Sequence, residues 1–477
     1  MLRAVFSIAD RGYPARMILS AYRPTSSTYD EAFSPDGALR PGYEALLEAL
    51  VEAGIRDTQD ALRRRLSSMD VDFGDDESTF EVDPLPRLVS SAEWDRLSAG
   101  LAQRHEAINA FIGDAYGDRS LIDHGVMPDR VLEESVYYEP MMEGLGVVAQ
   151  LAGPDLIRDA TGEMLVLEDN VRTPSGIAYA AASRSALRSA GQNFVEPSML
   201  DPSLAYGLLH AVLRDANPGG GDPSIVMLSD GPRSKAWFEH REICSRLNIP
   251  VVATGQLESR RKRLFALVGG EQLEVQVLYN RSSDESLRAS DGELSRLGSL
   301  LKDPLEAGNV RCVNSFGAGI ADDKAAHCYV EEMIRFYLRE RPLLRSVPSF
   351  DLGDPDQRAT VMDRLDEFVI KPRWSFGGQG IVLGPRASEL ELQEIRARVE
   401  RMPSGYVAQQ MIEFSVHPTA VGDRLEPRHV DLRAFVATLN GKYTALPVAL
   451  TRFAGGAGDL VVNSTQGGGA KDTWLLR

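Results

Sequence analysis

Apolar residues recur at helical spacing in two stretches of the first 150 residues, "YEALLEALVEAGI" (43–55) and "SAEWDRLSAGLAQRHEAINAFIGDAYG" (91–117), which predicts two amphipathic helices. The acidic stretch between them, "MDVDFGDDESTFEVD" (69–83), reads as a loop or short strands. From about residue 223 the pattern turns to alternating strand and helix. "SIVMLSDGP" is a short apolar strand, "RSKAWFEHREICSRLN" an amphipathic helix, "PVVAT" a second strand, and "LEVQVLYNR" another that ends at Arg281. Such alternation predicts a small, largely parallel sheet with ligands favoured at the carboxyl ends of its strands, where Asp230, Gly231 and Arg281 fall. After residue 322 a helix, "DDKAAHCYVEEMIRFYLRE", precedes a run of strands with glycine-rich turns. These changes divide the chain into a mainly helical region (1–150), a segment from 151 to 222, an α/β unit (223–321) and a strand-rich region (322–477).

Three strand pairs carry the candidate chemistry. In "PDLIRDATGEMLVLEDN" (154–170), Asp159-Ala160-Thr161-Gly162 suits a four-residue turn, with Asp first and Gly last. Closing the turn there pairs Arg158 with Glu163 and sets Asp155 opposite Val166. Side chains alternate along strands, so Val166, Glu168 and Asn170 share one face with Asp155. Asp155 and Glu168 are then diagonal neighbours with Cβ atoms roughly 7–8 Å apart, a gap that one cation bonded to oxygen at about 2.0–2.1 Å can bridge. Two carboxylates and an amide oxygen form a hard donor set, suited to Mg²⁺ or Mn²⁺ and poor for zinc. The same residues can equally form a polar strand end facing water, and a one-residue slip sends Asp155 to the other face.

In "RHVDLRAFVATLNGKYTALPVALTRFA" (428–454), Asn440-Gly441 signals a type I′ hairpin. Pairing about it puts Arg433 opposite Val448 and His429 opposite Arg452, so His429, Asp431, Arg433 and Arg452 share a face. Two guanidiniums there suit a planar grip on phosphoryl oxygens, or simply a solvated face with an Asp–Arg pair. Pro447 implies an edge strand or a bulge. In "EFVIKPRWSFGGQGIVLG" (367–384), Lys371 closes a strand before a loop in which Gly377, Gly378 and Gly380 allow the backbone to approach an anion. The loop lacks GxxxxGK[ST] and enters a strand, so neither a Walker nor a dinucleotide reading fits.

The formal net charge of −17 repels nucleic acid and anionic membrane. Cys244, Cys312 and Cys328 form no CxxC pair, which argues against a disulfide framework or zinc site. The opening residues carry charges without an apolar core of a leader, and no apolar run approaches the roughly 20 residues of a membrane span. A reducing cytoplasm is therefore expected.

Together, "VLEDNVRTPSG", "GIADDKAAHCYVEEMIRFYL", "PRHVDLRAFV" and "VVNSTQGGGAKDTWLL" resemble the circularly permuted ATP-grasp type 2 family, related to the glutathionylspermidine synthetases. The resemblance runs from about Pro86 to the C-terminus. It implies an α/β (α+β) circularly permuted ATP-grasp fold with a small βαβ pre-ATP-grasp domain and a helical N-terminal region. It implies that Asp155, Glu168 and Asn170 hold Mg²⁺ (or Mn²⁺), and that Lys324, Lys371, the glycine loop, Gln409 and Ile412 bind ATP. Arg433 and Arg452 would meet the transferred phosphoryl group with Lys371, and Arg172, Ser175 and Gly176 would approach the acid, with Arg281 a further substrate-site candidate. The activity implied is an ATP-dependent carboxylate–amine (or carboxylate–thiol) ligase working through an acylphosphate, with small-molecule or peptide substrates. The net charge points to no nucleic-acid or membrane partner, and a homodimer is the default assembly because dimers are common. The alternatives are a phosphotransferase using the same nucleotide site and a non-catalytic nucleotide-binding scaffold. A mobile glycine-rich lid is expected to exclude water, with "NSTQGGGAKD" (463–472) a candidate for it and equally for a plain loop.

Overall fold

Asn440 and Gly441 both have positive φ (51° and 68°), as a type I′ turn requires. The strands they join, Arg424–Leu439 and Lys442–Phe453, form the middle of an eight-stranded sheet in a computed structural model of the chain. The structure describes residues 22–23, 28–73, 80–190, 199–374, 379–460, 462 and 468–477. Beyond Lys442–Phe453 lie Gly469–Leu475 and then Val82–Val89. On the other side, Asp155–Arg158 and Met164–Glu168 complete a row of six, and Val416–Val421 and Leu151–Ala152 pair with Arg424–Leu439 as the other two strands. Helix Ser91–Ala115 covers one face, its Trp94, Leu97 and Leu101 packed with Leu432, Ala434 and Val436. Helix Ile177–Ser189 lies in the core of the other face with Phe435, Ala437 and Leu450.

Within the mainly helical N-terminal region the structure adds one long strand, Val82–Val89. It pairs in parallel with the chain's last strand, and its register shifts between Asp83 and Arg87, where Pro84 and Pro86 sit. Two prolines disguise a strand in the sequence, yet an edge with a bulge tolerates their missing N–H groups. The candidate lid meets a similar correction: Gly469–Leu475 is a buried strand, with Lys471 bonded to Asp83 and to the Pro418 carbonyl, while residues 463–467 lie outside the described residues.

The expected parallel sheet is present in the order Arg311–Val313, Val277–Asn280, Ile225–Leu228 and Val251–Val252. An antiparallel meander, Leu257–Arg260, Arg263–Val268 and Glu271–Val275, is inserted before its last two strands in sequence, so "LEVQVLYNR" splits at Gln276. A further antiparallel sheet runs Ser349–Asp351, Tyr406–Gln410, Phe368–Pro372, Val382–Leu383. Two helices that the strand-rich reading did not include, Pro355–Met362 and Glu389–Arg401, accompany this sheet. Both carry legible caps: Asp354 before Pro355, and a Ser388/Glu391 capping box. The helix expected from residue 322 forms in three pieces, Lys324–His327, Val330–Met333 and a π-turn at Ile334–Leu338.

Candidate functional site

The acid hairpin reaches its geometry through two departures from the simple pairing. Its turn holds one residue more than expected, so Arg158 pairs with Met164 and Leu156 with Val166. A bulge at Leu167 then sets Asp155 directly opposite Glu168. Val166 therefore faces away from Glu168, into the core with Leu156, while Asp155, Ile157, Leu167 and Glu168 turn to a cavity. The second hairpin keeps the expected register up to Val436–Ala445. Between Ala434 and Val436 it shifts by two residues, around Pro447, so that Arg433 meets Leu450 and Arg452 meets Asp431. An even shift preserves the face, and Asp431, Arg433 and Arg452 reach the same cavity. His429 pairs with Val416 instead of Arg452, and its Nδ1 bonds the Phe414 carbonyl at 2.8 Å.

This cavity, of about 300 Å³, lies between the central sheet and the Lys371-bearing sheet. Asp155, Glu168, Asn170, Arg172, Lys324, Lys371, Gln409, Ile412, Arg433 and Arg452 all line it. Its apolar wall includes Val347, Val369, Leu383, Met411 and Phe414, a surface suited to a flat base. Gln409 ties the two sheets: its Nε2 donates to the Leu167 carbonyl (3.0 Å) and Ser349 Oγ (2.9 Å), and its Oε1 accepts from Lys371. Gly380 has φ +72°, and a Cβ there would lie 2.9 Å from Pro372 Cγ; Gly377 and Gly378 lie outside the described residues.

Charge is densely compensated. Arg433 Nε and Nη2 donate to Asp155 Oδ1 and Oδ2, both at 2.7 Å, and Arg452 Nη2 stands 2.9 Å from Asp155 Oδ2 and 2.5 Å from Asp431 Oδ2. Burial would raise the Asp155 carboxyl, but the Arg433 and Arg452 guanidiniums outweigh it and hold Asp155 below the usual carboxylate range. Asp431 is raised by burial and by Asp155, against Arg452. Burial lowers Lys324, and it lowers Lys371 to about 8, with Glu168 opposing it in both cases. Asn170 Nδ2 donates to the Gly153 carbonyl at 3.1 Å, leaving Oδ1 for a cation. Asp155, Glu168 and Asn170 thus fit a hard divalent ion. Among the described residues no three His, Cys, Asp or Glu side chains form a cage, so phosphate oxygens and water would complete the coordination, as Mg²⁺ prefers.

Three of the candidate substrate residues sit elsewhere. Ser175, Gly176 and Arg281 line a second cavity of about 250 Å³, which shares Arg433 and Arg452 with the first. Gly176, at φ +139°, has no room for a Cβ, which would lie 2.9 Å from Phe435 Cζ. Its N–H, and that of Ala178, donate to the buried Glu239 carboxylate at 2.8 and 2.9 Å, starting the Ile177–Ser189 helix. Arg281 is itself buried; it donates to the Pro174 carbonyl at 2.8 Å and to Ser175 Oγ, so it braces the loop. Arg172 faces the first cavity, bound to Asp322 at 2.6 Å and stacked 4.3 Å over Tyr137. Asp230 and Gly231 line neither cavity.

Sequence reasoning placed Asp431 on the arginine face without a role, and did not single out Asp322, Glu239 or the buried Arg104–Asp169–His327 cluster behind the acid hairpin. Only Asp431 had a local signal, the alternation with Arg433; the others depend on contacts across more than 60 residues.

Two sheets closing on one cleft, lysines on one side and acids and arginines on the other, define an ATP-grasp fold, permuted because the acid hairpin precedes the lysine strand. The chain belongs to the circularly permuted ATP-grasp type 2 family, which matches residues 86–454. It is 36% identical over 97% of its length to a Frankia alni protein named "Putative glutamate--cysteine ligase 2-3", but spans only 55% of that relative. It is 35% identical to an uncharacterized protein of Synechocystis sp., covering 97% of this chain and 99% of that protein. A glutathione synthetase-like effector from Globodera pallida, solved in apo form, shares the fold with a TM-score of 0.58 at 13% identity, over 88% of this chain and 97% of the other. No helix among the described residues is long and apolar enough to cross a membrane.

Proposed function

We propose that the protein is an ATP-dependent carboxylate–amine ligase that forms an amide with release of ADP and phosphate. The observation that carries this reading is the convergence of Asp155, Glu168 and Asn170 with Lys324, Lys371, Arg433 and Arg452 around one cleft. ATP would lie with its base against the apolar wall and its phosphates toward the lysines. A substrate carboxylate oxygen attacks the γ-phosphorus, and the bond to the ADP oxygen breaks. Arg433 and Arg452 receive the charge that builds on the transferred group, which is how two anions are brought together. Bound Mg²⁺, held by Asp155, Glu168 and Asn170, would supply further neutralisation of the phosphates. The amine nitrogen then attacks the acyl carbon, phosphate leaves, and the nitrogen loses a proton. No nucleophilic side chain is required.

The test is a coupled ADP-release screen over amino acids, small peptides and polyamines with Mg²⁺. ADP and phosphate released only when acid and amine are both present supports the ligase. A phosphorylated product marks a phosphotransferase instead, and nucleotide binding without turnover marks a scaffold.

A further inference from the structure

The second cavity has a composition that speaks to the acid. One wall is aromatic: Tyr179 has Phe80 at 4.9 Å and Phe73 edge-on at 5.5 Å, and Leu450 adds to the apolar lining. The lining also contains Lys235, exposed at the surface, besides the buried Arg281 that braces the Pro174–Ser175 loop. Arg433 and Arg452 are common to this cavity and the nucleotide cleft. A carboxylate lying between these arginines and the γ-phosphate can extend its body only away from the nucleotide, and this space adjoins the same two side chains.

Resting on the ligase reading, we propose that this cavity seats the acid and selects one with a flat apolar body and a second carboxylate. The reacting carboxylate meets Arg433 and Arg452. The body lies on Phe73 and Phe80, backed by the buried Tyr179 ring, where an aromatic ring gains from offset or edge contacts beyond its buried area. The second carboxylate meets the Lys235 ammonium, a point charge on a flexible stem. Phe73 and Phe80 precede residue 86, where the family match begins, while Tyr179 and Leu450 lie within it.

The experiment is calorimetric titration of the full chain, with ADP and Mg²⁺ present, by four acids: benzylsuccinate, succinate, 3-phenylpropionate and propionate. Benzylsuccinate is expected to bind tightest, by roughly three- to tenfold over succinate. Phe80→Ala should erase the preference for the aryl acids and keep that for the diacids; Lys235→Ala should do the reverse. Should Phe80→Ala fail to fold, Phe80→Leu and the wild-type ranking of the four acids carry the same test. Equal binding of succinate and benzylsuccinate, or both preferences surviving in both variants, overturns the assignment. ADP release with amines but no discrimination among the acids sinks the pocket and leaves the ligase. The expected ranking without ADP release from any acid–amine pair sinks the ligase and leaves the pocket's selectivity.

Discussion

Replacing Lys371 by Met, which keeps its length and removes its charge, isolates the energetic cost of burying an ammonium in the cleft. Lys371 is 8% exposed, and burial lowers its pKa from 10.5 to about 8, with Lys324 pushing the same way and Glu168 and Asp155 opposing. A folded-state pKa below the unfolded one means the unfolded chain holds the proton more tightly. The native state is therefore penalised below pH 8, and the penalty lifts as pH rises from about 8 to 10.5. The gap between the two values, at about 1.4 kcal/mol for each pH unit, amounts to about 3 kcal/mol. Removing Lys371 also strips Gln409 Oε1 of its donor, an offset that does not vary with pH over this range. For a chain of this size, about 1 kcal/mol corresponds to about 1 °C of Tm. The assay is thermal unfolding of nucleotide-free wild type and Lys371→Met from pH 7 to 10.5. Wild type should gain about 3 °C on the variant across that interval, and bound ATP, by supplying an anionic partner, should shrink the gain. Parallel curves would refute the reasoning, because a lysine already comfortable in its site has no deficit to relieve.

Glu168→Gln keeps shape but removes one of the two acids proposed to hold the cation; ADP release should fall by about 100-fold or more while Tm holds. Wild-type turnover in that variant would remove Glu168 from the assigned role. Arg433→Lys trades a two-pronged grip for a point charge and should lower kcat by about 100-fold in the same assay. An unchanged kcat would place Arg433 among the merely structural ions. Gly176→Ala forces a Cβ against Phe435 at positive φ, so thermal unfolding should show a loss of about 1–3 kcal/mol, and KM for the acid should rise. An unchanged Tm would show that the loop has slack which its contacts do not suggest.

How much of the site could be read from the chain is decided by the difference between a face and a neighbour. Alternation along a strand settles which residues share a face, and an even slip leaves that assignment untouched. Around Pro447, which has no N–H to offer a ladder, the hairpin gains two residues, so Arg452 keeps its face but finds Asp431 opposite it in place of His429. In the acid hairpin the extra turn residue and the bulge at Leu167 are two odd displacements that cancel for Glu168, though not for Val166. The acids, the arginines and Lys371 were therefore legible as faces and strand ends, while their pairings were not. Asp322, which holds Arg172, and Glu239, which starts a helix more than 60 residues earlier, have no periodic signature at all, since nothing local marks a carboxylate whose partner is distant in sequence. The same logic explains why Asp155 is the sharpest point at which to probe the site. Its face followed from alternation, but its two guanidinium partners follow only from registers set by bulges, so a single charge there depends on both hairpins closing as observed. Asp155→Asn, which keeps the shape and drops the charge, should leave excess positive charge on the half-buried Arg433 and Arg452 and lower Tm, and added phosphate should restore more stability to it than to wild type. Equal response of the two proteins to phosphate would show that those arginines are not held in place by Asp155.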